Sequence, residues 1–123
     1  MSFCAKETPF VQHKNLFASG RWYQFSFAMQ MANIGADVGR AINWKKDENM
    51  LKSEAALFRA LELIDYTIID PRLHKTGRRR ELGRVRECLV DYFFADNQYG
   101  SSDDLLNNYF MYFAYIAAAE RGR

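Results

Sequence analysis

Residues 21–44, RWYQFSFAMQMANIGADVGRAINW, place apolar or small side chains on nearly every side of a helical projection, and such a segment has to be surrounded by other elements. Two rows run along it at helical spacing. Trp22, Phe25, Met29, Ala32 and Ala36 form one, and Phe27, Met31, Ile34, Val38 and Ala41 form the other, together wider than the single stripe of a surface helix. Gly35 and Gly39 stand beside Ala32 and Ala36. Each glycine costs a helix interior roughly 1 kcal/mol, so the pair implies a packing reason: a neighbouring backbone can approach closely there. Arg21, Gln24, Gln30, Asp37 and Arg40 interrupt the apolar surface well short of the roughly 20 residues that a membrane span needs. The expectation is a soluble core helix with no membrane contact.

Downstream the chain reads as three more helices. Residues 49–69 carry Leu51, Ala55, Phe58, Leu61, Ile64 and Ile68 as a core stripe, and Pro71 ends the run because the residue before a proline is pushed out of helical geometry. Pro71 to Gly77 then reverses the chain. Thr76 can cap a third helix over 77–96, with Leu82, Val85, Leu89, Tyr92 and Phe93 as its apolar positions. After the turn at Asn97 to Ser101, Ser102 caps a fourth helix over 102–121, and Asp103 and Asp104 in its first turn suit the positive end of the helix dipole. The first helix, over 20–44, has Ser19 as its cap. Short connections favour antiparallel neighbours. The fold class expected is therefore all-α: a single-domain, antiparallel (up-down-up-down) four-helix bundle over 19–123, preceded by an N-terminal arm over 1–18. Phe3, Phe10 and Phe17 along that arm would be poorly placed in water, so it is expected to pack on its own bundle or on a partner's.

A chain of 123 residues with 49% hydrophobic residues and two prolines is long enough to fill one core and is not compositionally disordered. A net charge of +2 does not by itself imply a polyanionic partner, so the distribution of charge has to carry any such inference. Cys4 and Cys88 make neither a disulfide framework nor a zinc pattern, and no apolar leader precedes a cleavage site. A cytoplasmic protein with reduced thiols is expected, Cys88 packing as an inert thiol beside Val85, Leu89 and Tyr92.

The charge is unevenly placed. Arg72, Lys75, Arg78, Arg79, Arg80, Arg84 and Arg86 crowd the loop before the third helix and its first half, with Glu81 the one acid among them. In an up-and-down bundle this end also receives Arg21, Arg121 and Arg123. Arginines clustered at a helix N-terminus can hold phosphates through side-chain forks and free backbone N–H groups, which makes Arg72, Lys75, Arg78, Arg79, Arg80 and Arg84 candidates for contact with nucleic acid or another acidic partner. The bland alternative is a solvated turn balanced by Asp65, Asp70, Glu81 and Glu120. No aromatic residue lies within the basic run, which disfavours single-strand stacking.

Glu62 and Asp65 on the second helix and Glu87 and Asp91 on the third could face one another, and carboxylates on facing helices are how bundles hold divalent metals. A ferritin-like di-iron site needs Glu-x-x-His, and His13 and His74 lie in the arm and a loop. That leaves magnesium. The pairs E62-L-I-D65 and E87-C-L-V-D91 resemble the paired acidic motifs of the all-α nucleotide pyrophosphohydrolases, although the second pair is spaced by four instead of three. Against this stand structural ion pairs: Asp37–Arg40, Arg59–Glu62 and Arg84–Glu87 are at helical neighbour spacing. No nucleophile constellation and no Gly-rich phosphate loop after a strand occur, so no catalytic residue is assigned.

The fourth helix carries Tyr109, Phe110, Tyr112, Phe113 and Tyr115 around more of its circumference than one core face can use. Aromatic residues are enriched in interface cores, and Tyr109, Tyr112 and Tyr115 are the candidates for a homo-oligomeric surface; the alternative is a rich core with hydroxyls reaching solvent.

The run A28-M-Q-M-A-N-I-G-A-D-V-G-R40 followed by A55-A-L-F-R-A-L-E-L-I-D65 resembles the small bacterial four-helix-bundle proteins encoded in ribosomal RNA intervening sequences and their retroelement-accessory relatives. The resemblance covers about residues 28–65. It implies a ring-forming, basic bundle that binds nucleic acid or a nucleic-acid enzyme without catalysis. The sequence has Gly-Ala-Asp where that family tends to Ala-Glu-Gly, and a more aromatic fourth helix. The expected function is thus a non-catalytic, self-associating helical interaction protein without cofactor. The alternatives are a magnesium-dependent nucleotide hydrolase and a purely structural assembly protein.

Overall fold

The computed structural model describes residues 14–122. They form helices α1 (Lys14–Ala18), α2 (Phe27–Lys46), α3 (Met50–Ile68), α4 (Arg78–Phe94) and α5 (Asp103–Arg121), with 3-10 turns at Arg21–Gln24 and Pro71–Leu73 and no strand among the described residues. Phe3, Cys4, Phe10 and His13 of the arm lie outside the described residues. Phe17 stacks on Tyr66 of α3 at 4.2 Å between ring centroids.

The long segment that organises the sequence is two elements, not one helix. Ser26, in extended conformation, caps α2 by accepting from the Met29 N–H, and Ser19 sits before the separate 3-10 turn instead. Trp22, 1% exposed, is buried within that turn and donates its Nε1–H to Thr67 Oγ1 at 3.0 Å, pinning the turn to α3. Of the two rows predicted on this segment, Met31, Ile34, Val38 and Ala41 form the core, whereas Ala32 is half-buried and Ala36 exposed.

Along α3 the expected stripe holds at Leu61 and Ile64, but Leu51 is 81% exposed. The buried face runs through Ser53, Ala56, Leu57, Ala60, Leu61, Ile64 and Thr67. Small and hydroxylated residues let α3 lie close to α2, and their hydroxyls are used: Ser53 Oγ donates to the Ala41 carbonyl of α2 at 2.8 Å, and Thr67 Oγ1 to Leu63 O at 2.7 Å. A buried hydroxyl without such a partner would be costly.

Helix α2 packs against both α3 and α5, and α3 also packs against α4. The start of α2 meets the end of α5 through Ser26 Oγ donating to Glu120 Oε1 at 2.7 Å, and Lys46 at its other end lies 3.9 Å from Asp103. Between these points Gly35 fits against Phe110 so tightly that a Cβ there would lie 2.5 Å from Phe110 Cβ. Gly39 has nothing nearer than Asn107 Oδ1 at 4.0 Å, so of the two glycines one makes the close approach. Gly77, with φ 81°, leads into α4, and Thr76 Oγ1 accepts from the Arg78 N–H. Ser102 caps α5 through the Leu105 N–H.

Candidate functional site

The fold divides the basic run into structural and open cations. Arg72 forks onto the carboxylate of Asp70, Nη2 to Oδ2 at 2.7 Å and Nε to Oδ2 at 3.0 Å, and Nη2 also donates to the Phe25 carbonyl at 3.0 Å. Asp70 is 1% exposed. Burial pushes its carboxyl up, but the hydrogen bonds and charge of Arg72 outweigh burial and hold it below its ordinary value. Arg79 donates to the Asp70 carbonyl at 3.4 Å, and Arg86 pairs with Asp65 at 2.9 Å. These cations clamp loops and helices. Arg78 lies over the Phe27 ring at 4.4 Å, within cation–π range, and is exposed. Lys75, Arg80 and Arg84 are exposed and have no acidic partner within ion-pair distance among the described residues. Of the candidate anion-binding residues, then, Arg72 and Arg79 are committed internally, and Lys75, Arg78, Arg80 and Arg84 remain available at the start of α4.

The four carboxylates of the magnesium alternative do not converge. Glu62 is fully buried on α3 and accepts from the Tyr66 hydroxyl at 3.1 Å. Burial pushes its carboxyl up to about 7, against the Tyr66 bond and with Asp65 adding to the rise. Asp65 is held by Arg86. Asp91 accepts the N–H groups of Gln98 and Tyr99 at 2.9 and 3.0 Å, closing the loop after α4, and Glu87 accepts from the Tyr99 hydroxyl at 3.2 Å. Among the described residues no three His, Cys, Asp or Glu side chains lie where they could hold a metal ion together. Asp37 is also taken, by Arg40 at 2.7 Å and Arg59 at 3.5 Å.

On α5 the three candidate tyrosines part company. Tyr109 is half-buried, sits edge-on to Phe110 and Phe113, and donates its hydroxyl to Glu81 on α4. Burial first, then Glu81, raises its phenol. Its hydroxyl is used in the contact between α4 and α5, and its ring edges pack on α5 itself. Tyr112 and Tyr115 are 62% and 70% exposed, with Met111 and Leu105 exposed on the same helix. Residues 105–119 contain no charged side chain, so this outer face is neutral, with the exposed Asn107 and Asn108 among its aromatic and apolar residues.

A groove of about 480 Å³ that no sequence motif announces lies between α4 and α5. Leu106, Phe110 and Tyr109 of α5 and Val85 and Cys88 of α4 line it, and Arg80 and Arg84 border it. Cys88 is half-buried there, and burial foremost raises its thiol. The available signal is the row Arg80, Arg84, Cys88 at helical spacing, a side of α4 with no large apolar residue. No protein-family model, curated protein or solved structure matches the chain. Among the described residues no helix is long and apolar enough to cross a membrane.

Proposed function

We propose that this chain is a non-catalytic helical interaction protein, an up-down-up-down four-helix bundle that self-associates through the outer face of α5. Its open cations at the start of α4 contact nucleic acid or another acidic partner. The observation that carries this reading is the neutral aromatic face: Tyr112 and Tyr115 stand 62% and 70% exposed in a stretch without a single charge. A two-fold contact sets a patch against its own copy, residues near the axis meeting themselves, and like charges placed opposite each other are costly; a neutral face escapes that conflict, which favours a second copy of the chain as its partner. The contacts between Ser26 and Glu120, Phe58 and Phe94, and Asp65 and Arg86 support the bundle topology. The resemblance of residues 28–65 to the intervening-sequence proteins accords with both association and anion contact.

Sedimentation velocity over a range of protein concentrations tests the association: an oligomer is expected, and a monomer at every concentration refutes it. Fluorescence anisotropy of labelled DNA and RNA tests the cationic contact. Binding is expected to weaken steeply with salt as phosphates are neutralised and to be lost in the Arg78→Gln, Arg80→Gln, Arg84→Gln variant.

A further inference from the structure

The groove between α4 and α5 has a cause in the sequence. The face that α4 turns to it reads Gly77, Arg80, Glu81, Arg84, Val85 and Cys88, while the bulky Leu82 and Leu89 are fully buried elsewhere in the core. Nothing on α4 fills the space over Leu106 and Phe110. The bridge between its lining residues is polar, from the Tyr109 hydroxyl to Glu81, and Tyr92 donates to Asp103 between the same two helices. An apolar trough is left, of a volume within the roughly 300–1,000 Å³ of small-molecule sites, and uncovered apolar walls lose the dispersion contacts that a filling group would supply.

The charge at the trough says what would fill it. Arg80 and Arg84, one turn apart on α4, border it without an acidic partner among the described residues. The one acid in its wall, Glu81, is engaged by Tyr109. Among the lining residues two arginines stand against one carboxylate, while Glu87 and Asp91 act on Cys88 at the other end of the same wall. A guanidinium fork matches a carboxylate. From this we infer that the groove between α4 and α5 binds a small carboxylate with an apolar body, the chain lying over Val85, Leu106 and Phe110 and the head group held by Arg80 and Arg84. The groove shares Leu105 with the outer face of α5 and Arg80 and Arg84 with the proposed anion contact, whereas Tyr112 and Tyr115, which carry the proposed self-association, do not line it.

Cys88 supplies a reporter, since its thiol lies in the groove wall. In a Cys4→Ser background, the rate at which a chromogenic disulfide reagent modifies Cys88 is measured with increasing decanoate, kept below its micellar concentration. Decanoate is expected to slow the reaction saturably, with affinity rising about fourfold per methylene from hexanoate to decanoate. Acetate and inorganic phosphate at equal concentration are expected to leave the rate unchanged. The Arg80→Gln, Arg84→Gln variant, altered only at exposed positions, should keep parental helicity and bind decanoate about tenfold more weakly. Unprotected Cys88 overturns the inference. So does equal protection by phosphate, which would mean a plain anion site, or protection undiminished in the arginine variant. Protection that grows with protein concentration instead of decanoate would place a second copy in the groove and also overturn it.

Discussion

Replacing Gly35 and Gly39 separately by alanine isolates what holds α2 against α5. At Gly35 the added Cβ would lie 2.5 Å from Phe110 Cβ and 2.8 Å from Cγ, against a normal carbon contact of about 3.5–4.0 Å. The clash is with the root of the Phe110 side chain, so rotation about its χ angles does not relieve it. Phe110 is 4% exposed, and the two helices must separate by about 1 Å or more. Overpacking of this kind costs about 1–3 kcal/mol, and contact with a Cβ places it at the upper end. The better helix propensity of alanine returns roughly 1 kcal/mol, for a net loss of about 2 kcal/mol. At Gly39 the nearest atom is 4.0 Å away, so only the propensity gain applies, and Gly39→Ala should stabilise by roughly 1 kcal/mol. The two variants should differ by about 3 kcal/mol, read as urea midpoints at constant m. Equal effects at both positions would refute the close approach at Gly35.

Glu62 makes stability depend on pH. Its folded-state value of about 7 lies above the ordinary 4.5, so its contribution is full below the unfolded value and is lost as pH rises through 7, on the order of 3 kcal/mol in all. Glu62→Gln should flatten that decline in urea titrations between about pH 5 and pH 8; a parental slope in the variant would contradict the assignment. Asp70 behaves oppositely, being held below its ordinary value, so its contribution is present above that value and is lost as pH falls through the depressed one. Arg72→Ala strands the buried carboxylate and should cost about 2 kcal/mol at neutral pH, with a smaller loss in acid as Asp70 protonates; a constant loss down to the acid limit would contradict the pairing.

Much of the architecture is legible in the residues because its signals are local. Ser102 and the Asp103-Asp104 pair mark the start of α5, Pro71 the stop of α3, and Gly35 the closest packing. What is not legible depends on partners distant in the chain. Ser26 rather than Ser19 begins the long helix because Trp22 is needed at Thr67, 45 residues away. The stripe on α3 misleads at Leu51 because a count of large apolar residues passes over Ser53, Ala56, Ala60 and Thr67, which make the contact surface. Basic residues look equivalent in sequence; only the placement of Asp70 and Asp65 separates Arg72 and Arg86, which are held, from Arg80 and Arg84, which are not. Tyr109 differs from Tyr112 and Tyr115 by facing Glu81, and the groove beside it arises from what α4 lacks.

The most direct test of self-association is sedimentation equilibrium on the parent and on a Tyr112→Asp, Tyr115→Asp double variant, with circular dichroism on both. Each tyrosine is more than half exposed, so the variant should keep its helicity while a charge-free face acquires opposed like charges. Self-association through this face predicts an oligomeric parent and a monomeric, fully helical variant. Identical masses for the two would contradict it.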